Sequence, residues 1–183
     1  MLAYKNEYLP NYIYDDYKQW KGDWELISGI AYAMSPAPNI THQEINSNIM
    51  YLLKTELKKC KNCKALPEVD WKITQDTVVR PDSLVVCNLQ NRGAYLSQTP
   101  TIIFEVLSPS TKAKDRNLKS LIYAQYGVKY YILVDPAGMF AEVYKLDNGN
   151  YRLQGEFKDE NYNFELDNGC EIDFLFEDIF DIS

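Results

Sequence analysis

The chain has 183 residues, 46% of them hydrophobic and 25% charged, with a formal net charge of −7. At the size of one ordinary domain, that balance excludes a disordered chain and a collagen-like repeat. No apolar run approaches the roughly 18–20 residues that span a bilayer, and the opening MLAYKNEYLP lacks the apolar centre of a secretory signal. A single cytoplasmic domain over residues 1–183, with no membrane partner, is expected.

In chain order, residues 24–34 (WELISGIAYAM) read as two β-rich runs around Ser28-Gly29, a hairpin. The Pro-containing SPAPN ends the second strand. Thr41-His42-Gln43-Glu44 has the form of a capping box. It opens a helix running to about Lys59, with Ile45, Ile49, Leu52, Leu53 and Leu57 as its apolar positions. Cys60-Lys61-Asn62-Cys63 is a CxxC, half of a zinc site or a redox pair. Cys87 and Cys170 form no second CxxC and the chain has one His, so reduced thiols are expected.

Residues 71–73 and 83–87 are short strand candidates. Residues 101–107 (TIIFEVL) form a nearly continuous β run, the pattern of a central strand buried on both faces. A helix capped by Ser110 or Thr111 follows and closes at Gly127, with Leu118, Leu121, Ile122 and Tyr126 as its stripe. Residues 130–134 (YYILV) form another buried strand, stopped by Asp135-Pro136. Strand, helix, strand in that order places the two strands parallel through a crossover. Shorter strands near 141–146 and 151–155 extend the sheet, and a turn near Phe174–Phe180 packs the tail. The fold class is α/β, an α+β mixed sheet with an N-terminal hairpin.

The acidity is local. Residues 156–183 hold ten acidic side chains and one Lys, so the rest of the chain carries 18 basic against 16 acidic residues. Two basic clusters stand in that body: Lys54, Lys58, Lys59, Lys61 and Lys64, and then Lys112, Lys114, Arg116 and Lys119. Their plain reading is a solvated helix face.

Chemistry is concentrated in a few polar residues. Glu105 interrupts an apolar strand, where an ionised carboxylate costs several kcal/mol unless a cation or hydrogen bonds compensate it. Asp82 begins the preceding strand candidate. A hard divalent cation shared by the two is one solution; a turn-capping Asp82 and a Glu105 paired with a buried base is the other. Asp115 and Lys119 are spaced i,i+4, which surface pairing alone explains. Glu44 has its capping role, His42 lies in a first helical turn, and core packing is the ordinary fate of Tyr123.

The strings RPD at 80–82, FEVLSPST at 104–111, DRNLK at 115–119 and YAQYGVKYYILVDP at 123–136 resemble the Uma-two (Uma2) family of restriction-endonuclease-like proteins. Residues 24–45 look like that family's opening hairpin and first helix. The resemblance runs from about residue 24 to 180. The family is similar to the PD-(D/E)XK nucleases, which implies a restriction-endonuclease-like core, a central mixed β-sheet flanked by helices. It implies Asp82, Glu105, Lys119 and Glu44 as catalytic residues. Mg2+ or Mn2+ would be held by Glu44, Asp82, Glu105 and the Val106 carbonyl, with Tyr123, Asp115 and His42 in support. The superfamily's lysine belongs two residues after Glu105, where this chain has Leu107; Lys119 on the next helix takes that place. The implied activity is metal-dependent hydrolysis of DNA phosphodiesters, with Lys112, Lys114 and Arg116 on backbone phosphates. The alternative is an inactive nucleic-acid or protein interaction module on the same fold, with a metal-dependent hydrolase of other substrates third. A homodimer would suit duplex cleavage, with the apolar tail Phe174–Phe180 as its interface.

Overall fold

A computed structural model describes residues 9–34 and 39–182. The segment read as SPAPN lies, over 35–38, outside the described residues. Helix α1 (Tyr14–Tyr17) leads into strands β1 (Trp24–Ile27) and β2 (Ile30–Ala33). Their two-residue turn has both Ser28 (φ 50°) and Gly29 (φ 78°) in the left-handed region, as a type I′ hairpin requires. A side chain at Gly29 would also meet Asn11, whose Oδ1 lies 2.5 Å from the ideal Cβ position. Helix α2 (Ile40–Glu56) follows, then a 3-10 turn to Lys59. The cap of α2 is Asn39, whose side chain accepts from the His42 N–H at 2.9 Å. The capping box predicted at Thr41 therefore does not form. Asn caps at least as well as Thr, and the earlier start adds two helical residues.

Strands β3 (Cys63–Pro67), β4 (Trp71–Lys72), β5 (Val78–Val79), β6 (Ser83–Cys87) and β7 (Ile102–Val106) come next. The predicted crossover helix has three parts: α3 (Lys112–Lys114), a π-helical turn (Asp115–Lys119) and α4 (Ser120–Gln125). Gly127, at φ 80°, ends it as predicted. Strands β8 (Tyr130–Asp135), β9 (Phe140–Asp147), β10 (Asn150–Phe157), β11 (Asn161–Glu165) and β12 (Glu171–Leu175) complete the chain, with a last 3-10 turn at Glu177–Phe180.

The main sheet has the order β10-β9-β8-β7-β6-β3 and is mixed: β7 and β8 run parallel, the other neighbours antiparallel. The small sheet has the order β2-β1-β5-β4, and β11 and β12 form a separate hairpin. Alternation divides each central strand between two cores. Ile102, Phe104 and Val106 pack with Ile45, Ile49 and Leu53 of α2. Ile103 and Leu107 pack with Ile122, Tyr123 and Trp71 on the opposite face. Glu105 points to that second face. Leu121, predicted in the helix stripe, is 71% exposed, because the inward positions of this helix are taken by Asp115, Lys119, Ile122 and Tyr123.

The C-terminal segment alternates the same way, with acidic side chains outward and Phe164, Ile172 and Phe174 in the α2 core. Phe174, Phe176, Ile179 and Phe180 are buried within the chain. The tail is thus an intramolecular layer, which removes the basis for the interface expected there.

The cysteines correct a second expectation. They are joined, Cys60 to Cys170 and Cys63 to Cys87, and not as a CxxC pair or free thiols. Cys63 and Cys87 face each other across β3 and β6; the other bridge ties the end of α2 to the C-terminal hairpin. Only the tertiary fold brings residues 110 and 24 positions apart together. Loops of these lengths are worth about 3–5 kcal/mol per bridge in chain-entropy terms. At about 2–4 °C per kcal/mol for a chain of this size, dithiothreitol is expected to lower the thermal midpoint by roughly 10 °C or more. An unchanged melt would contradict the bridges.

Candidate active site

Four carboxylates and two lysines meet between the small sheet and the crossover helix. Glu105 lies on β7, Asp82 just before β6, Glu25 on β1 and Asp115 in the π-helical turn. Lys119 Nζ lies 2.9 Å from Glu105 Oε1, 2.9 Å from Glu25 Oε1 and 3.5 Å from Asp115 Oδ1. The Tyr123 hydroxyl donates to the same Glu105 oxygen at 2.7 Å. Glu25 also takes Lys114 at 2.6 Å and the Arg80 N–H at 3.0 Å. Asp82 Oδ2 accepts from the Val106 N–H at 2.7 Å and faces His42 Nε2 at 3.3 Å.

The local sequence explains this convergence. The β period puts Glu25 on the opposite face from Trp24 and Leu26, and Glu105 opposite Phe104 and Val106. The widened turn carries Asp115 and Lys119 inward, and the Tyr131 hydroxyl holds it by donating to the Asp115 carbonyl at 3.0 Å. Such π turns often mark functional sites. The surface reading of the Asp115–Lys119 pair therefore fails: both are buried. Asn46 on α2 donates to the Asp82 carbonyl at 3.2 Å and accepts from the Ser83 hydroxyl at 2.6 Å, which fixes α2 against the start of β6.

Burial sets the electrostatics. Glu105 and Lys119 are each 3% exposed. Burial above all, then the charges of Asp115, Asp82 and Glu25, push the Glu105 carboxyl well above the carboxylate range, against the pull of Lys119. Burial pushes Asp115 up as well. For Glu25, burial is overcome by Lys119 and Lys114, and its carboxyl is held low. The difference is physical: Glu25 has two ammonium partners and a backbone donor, whereas Glu105 shares one ammonium and faces other carboxylates. Lys119 stays charged despite burial because Glu105, Glu25 and Asp115 surround it. Burial also works against a charged His42, but Asp82 raises it overall.

Thus Asp82, Glu105, Lys119, Tyr123, Asp115 and His42 come together, with Val106 linked to Asp82. Glu44 does not join them. It lies two residues beyond His42, about 200° around the helix, and among the described residues no hydrogen bond or ion pair links it to the cluster. The proposed phosphate contacts already hold carboxylates: Lys112 with Asp135 at 3.0 Å, Arg116 with Glu142 at 2.6 Å and Lys114 with Glu25. The exposed Lys54–Lys64 run lies towards the opposite end of α2 from His42. Glu25 is the residue that sequence reasoning missed, although an acid inside the apolar WELI is the same signal as Glu105.

A divalent cation fits this donor set in two respects. The oxygens are hard ligands, and four carboxylates outnumber two ammonium groups. Asp115 Oδ1 is buried without a hydrogen-bond partner, its one cation contact being Lys119 at 3.5 Å. No group of three His, Cys, Asp or Glu side chains converges as a ready ligand shell among the described residues.

A mixed sheet with one parallel pair, flanked by helices and carrying acids at the ends of β6 and β7, defines a restriction-endonuclease-like core. The chain belongs to the Uma2 family, described as "Putative restriction endonuclease", which matches residues 14–170. A similar solved structure is the crystal structure of "a putative nuclease belonging to DUF820" from Anabaena variabilis. It is 18% identical with a TM-score of 0.74, and the match covers 92% of this chain and 97% of that one. A cryoEM structure of a DrdV–DNA complex is far more distant, with a TM-score of 0.34 at 14% identity over 63% of this chain and 12% of that one. A comparison with curated proteins gives no match. No helix among the described residues is long and apolar enough to cross a membrane.

Proposed function

We propose that the chain is a metal-dependent endonuclease that hydrolyses internal phosphodiester bonds of DNA. The observation that supports this most is the buried Lys119 ammonium bridging Glu105 and Glu25, beside an Asp82 at the margin of the cluster. Asp82, Glu105 and the Val106 carbonyl are assigned to Mg2+ or Mn2+. Such an ion, when bound, acidifies a water and offsets charge on the scissile phosphate. Lys119 and Tyr123 hold the Glu105 carboxylate in place, and His42 and the Val106 N–H fix Asp82. Lys112, whose side chain is 50% exposed, is assigned to a backbone phosphate, a contact that positions the strand without reading its sequence. Glu44 receives no role from its contacts.

The deep burial of Lys119 and Glu105 favours one other reading, an interaction module in which the ion-pair network is structural. Incubating the protein with supercoiled and single-stranded circular DNA separates the two. Cleavage in Mg2+ or Mn2+ that stops in excess EDTA is expected. Full cleavage in EDTA would contradict the metal assignment, and no cleavage of either DNA with metal present would favour the module.

A further inference from the structure

The reverse face of the small sheet carries a feature that hydrolysis at the acid cluster does not use. Trp24 and Glu25 are neighbours on β1, so their side chains project to opposite faces. Glu25 enters the acid cluster, whereas Trp24 lines an open cavity of about 300 Å3 with Tyr12, Trp20, Lys21 and Ala31. That volume lies at the small end of ligand pockets, about 300–1,000 Å3. Three aromatic rings form its walls. Tyr12 meets Trp20 edge-on at 5.1 Å and 87°, and Trp20 meets Trp24 at 5.8 Å and 68°. The rings continue outward through Tyr17, Tyr14 and Tyr95, with centroid spacings of 5.6, 6.0 and 5.1 Å.

The cavity is built and partly open. The Trp24 indole N–H donates to the Lys21 carbonyl at 2.8 Å, and the Tyr17 hydroxyl donates to the Trp24 carbonyl at 3.1 Å. Tyr12 remains 39% exposed. Three carboxylates along the band are paired with cations. Asp15 is paired with Lys18, and both Asp23 and Asp70 with Arg80. Lys21 at the cavity and Lys72, 4.2 Å from the Tyr14 ring centroid, have no carboxylate partner among the described residues. Rigid aromatic faces flanked by unpaired ammonium groups are the chemistry of single-strand nucleic-acid binding, where bases stack on rings and cations meet phosphates. A double helix hides its base faces, so a cavity of this size admits a base only from an unpaired stretch.

We propose that this cavity is a base-stacking subsite, holding one nucleobase of an unpaired DNA segment against Trp20 and Trp24, with Lys21 and Lys72 on the flanking phosphates. The strand passes β2, the outermost strand of the small sheet among the described residues, where Ala31 lines the cavity, and reaches the acid cluster on the other face. The inference rests on the nuclease reading, because it takes the strand in the cavity to be the substrate.

The test uses intrinsic tryptophan fluorescence of the full chain in EDTA. Of the three tryptophans, Trp71 is buried, which leaves Trp20 and Trp24 to report on the cavity. A short oligothymidylate is expected to quench saturably, and an abasic strand of equal length to bind about tenfold or more weakly. Trp20→Ala is expected to lose a similar factor and Trp20→Phe to recover most of it. On single-stranded DNA with Mn2+, Trp20→Ala should raise KM and leave kcat unchanged. Equal affinity of the abasic strand, or a Trp20→Ala protein that folds and binds as wild type, would overturn the subsite. Those results with metal-dependent cleavage intact would leave the nuclease reading standing. Base-dependent quenching through Trp20 with no cleavage would sink the nuclease reading instead and keep the subsite.

Discussion

Lys119→Met is expected to lower folding stability by about 3–5 kcal/mol at pH 8 and by much less at pH 5. The substitution keeps the length of the side chain and removes the one ammonium group that touches Glu105, Glu25 and Asp115 together. Glu25 keeps Lys114, but Glu105 is left with the Tyr123 hydroxyl as its only donor among the described contacts. Its carboxyl already sits well above the ordinary range, and loss of the cation moves it further up. A carboxyl raised in the folded state is protonated there and ionised in the unfolded chain above about pH 4.3. Stability then falls as pH rises from that value towards the folded pKa, at about 1.4 kcal/mol per pH unit. Urea denaturation of wild type and variant at pH 5 and pH 8 measures this directly. Adding Glu105→Gln to the variant should restore part of the loss at pH 8. A deficit under about 1 kcal/mol at pH 8, or one equal at both pH values, would show that the network is not held as described.

Asp82→Asn is expected to cut metal-dependent DNA cleavage by about three orders of magnitude, equivalent to several kcal/mol of transition-state stabilisation. The amide keeps an acceptor for the Val106 N–H, which Asp82 holds at 2.7 Å. It removes the charge assigned to the ion and, with it, the anion that faces His42 Nε2 at 3.3 Å. Because Asp82 also pushes up Glu105 and Asp115, its neutralisation relieves repulsion. The folded state should therefore change by less than about 1 kcal/mol. Initial rates at saturating Mn2+, with a melt on the same sample, separate lost chemistry from lost folding. A rate within tenfold of wild type would remove Asp82 from the catalytic set.

The elements legible in the sequence are those decided by short-range pattern. The β1–β2 hairpin followed from Ser28-Gly29, whose backbone few residue pairs tolerate. β7 and β8 followed from β-branched and aromatic runs, interrupted in β7 only by Glu105, and their parallel pairing from the helix between them. What was missed depends on partners far away in the chain. β5 is only two residues long and shows no periodicity. The bridges Cys60–Cys170 and Cys63–Cys87 exist because a hairpin and a sheet edge arrive at the end of α2. A π turn has no local signature, so Asp115 and Lys119 read as a surface pair. Within the site, Glu105 was conspicuous because it breaks an apolar strand. Glu25 carried the same signal in a shorter run, and the hairpin reading absorbed it.

Calorimetric titration of Mn2+ into wild type and Asp82→Asn, with no nucleic acid present, tests the cation site directly. Saturable binding by the wild type that vanishes in the variant is expected, while Glu142→Gln, a change to an acid outside the cluster, binds as wild type. Equal binding by wild type and Asp82→Asn, or heat from neither, would contradict the assignment of the buried acids to a divalent cation.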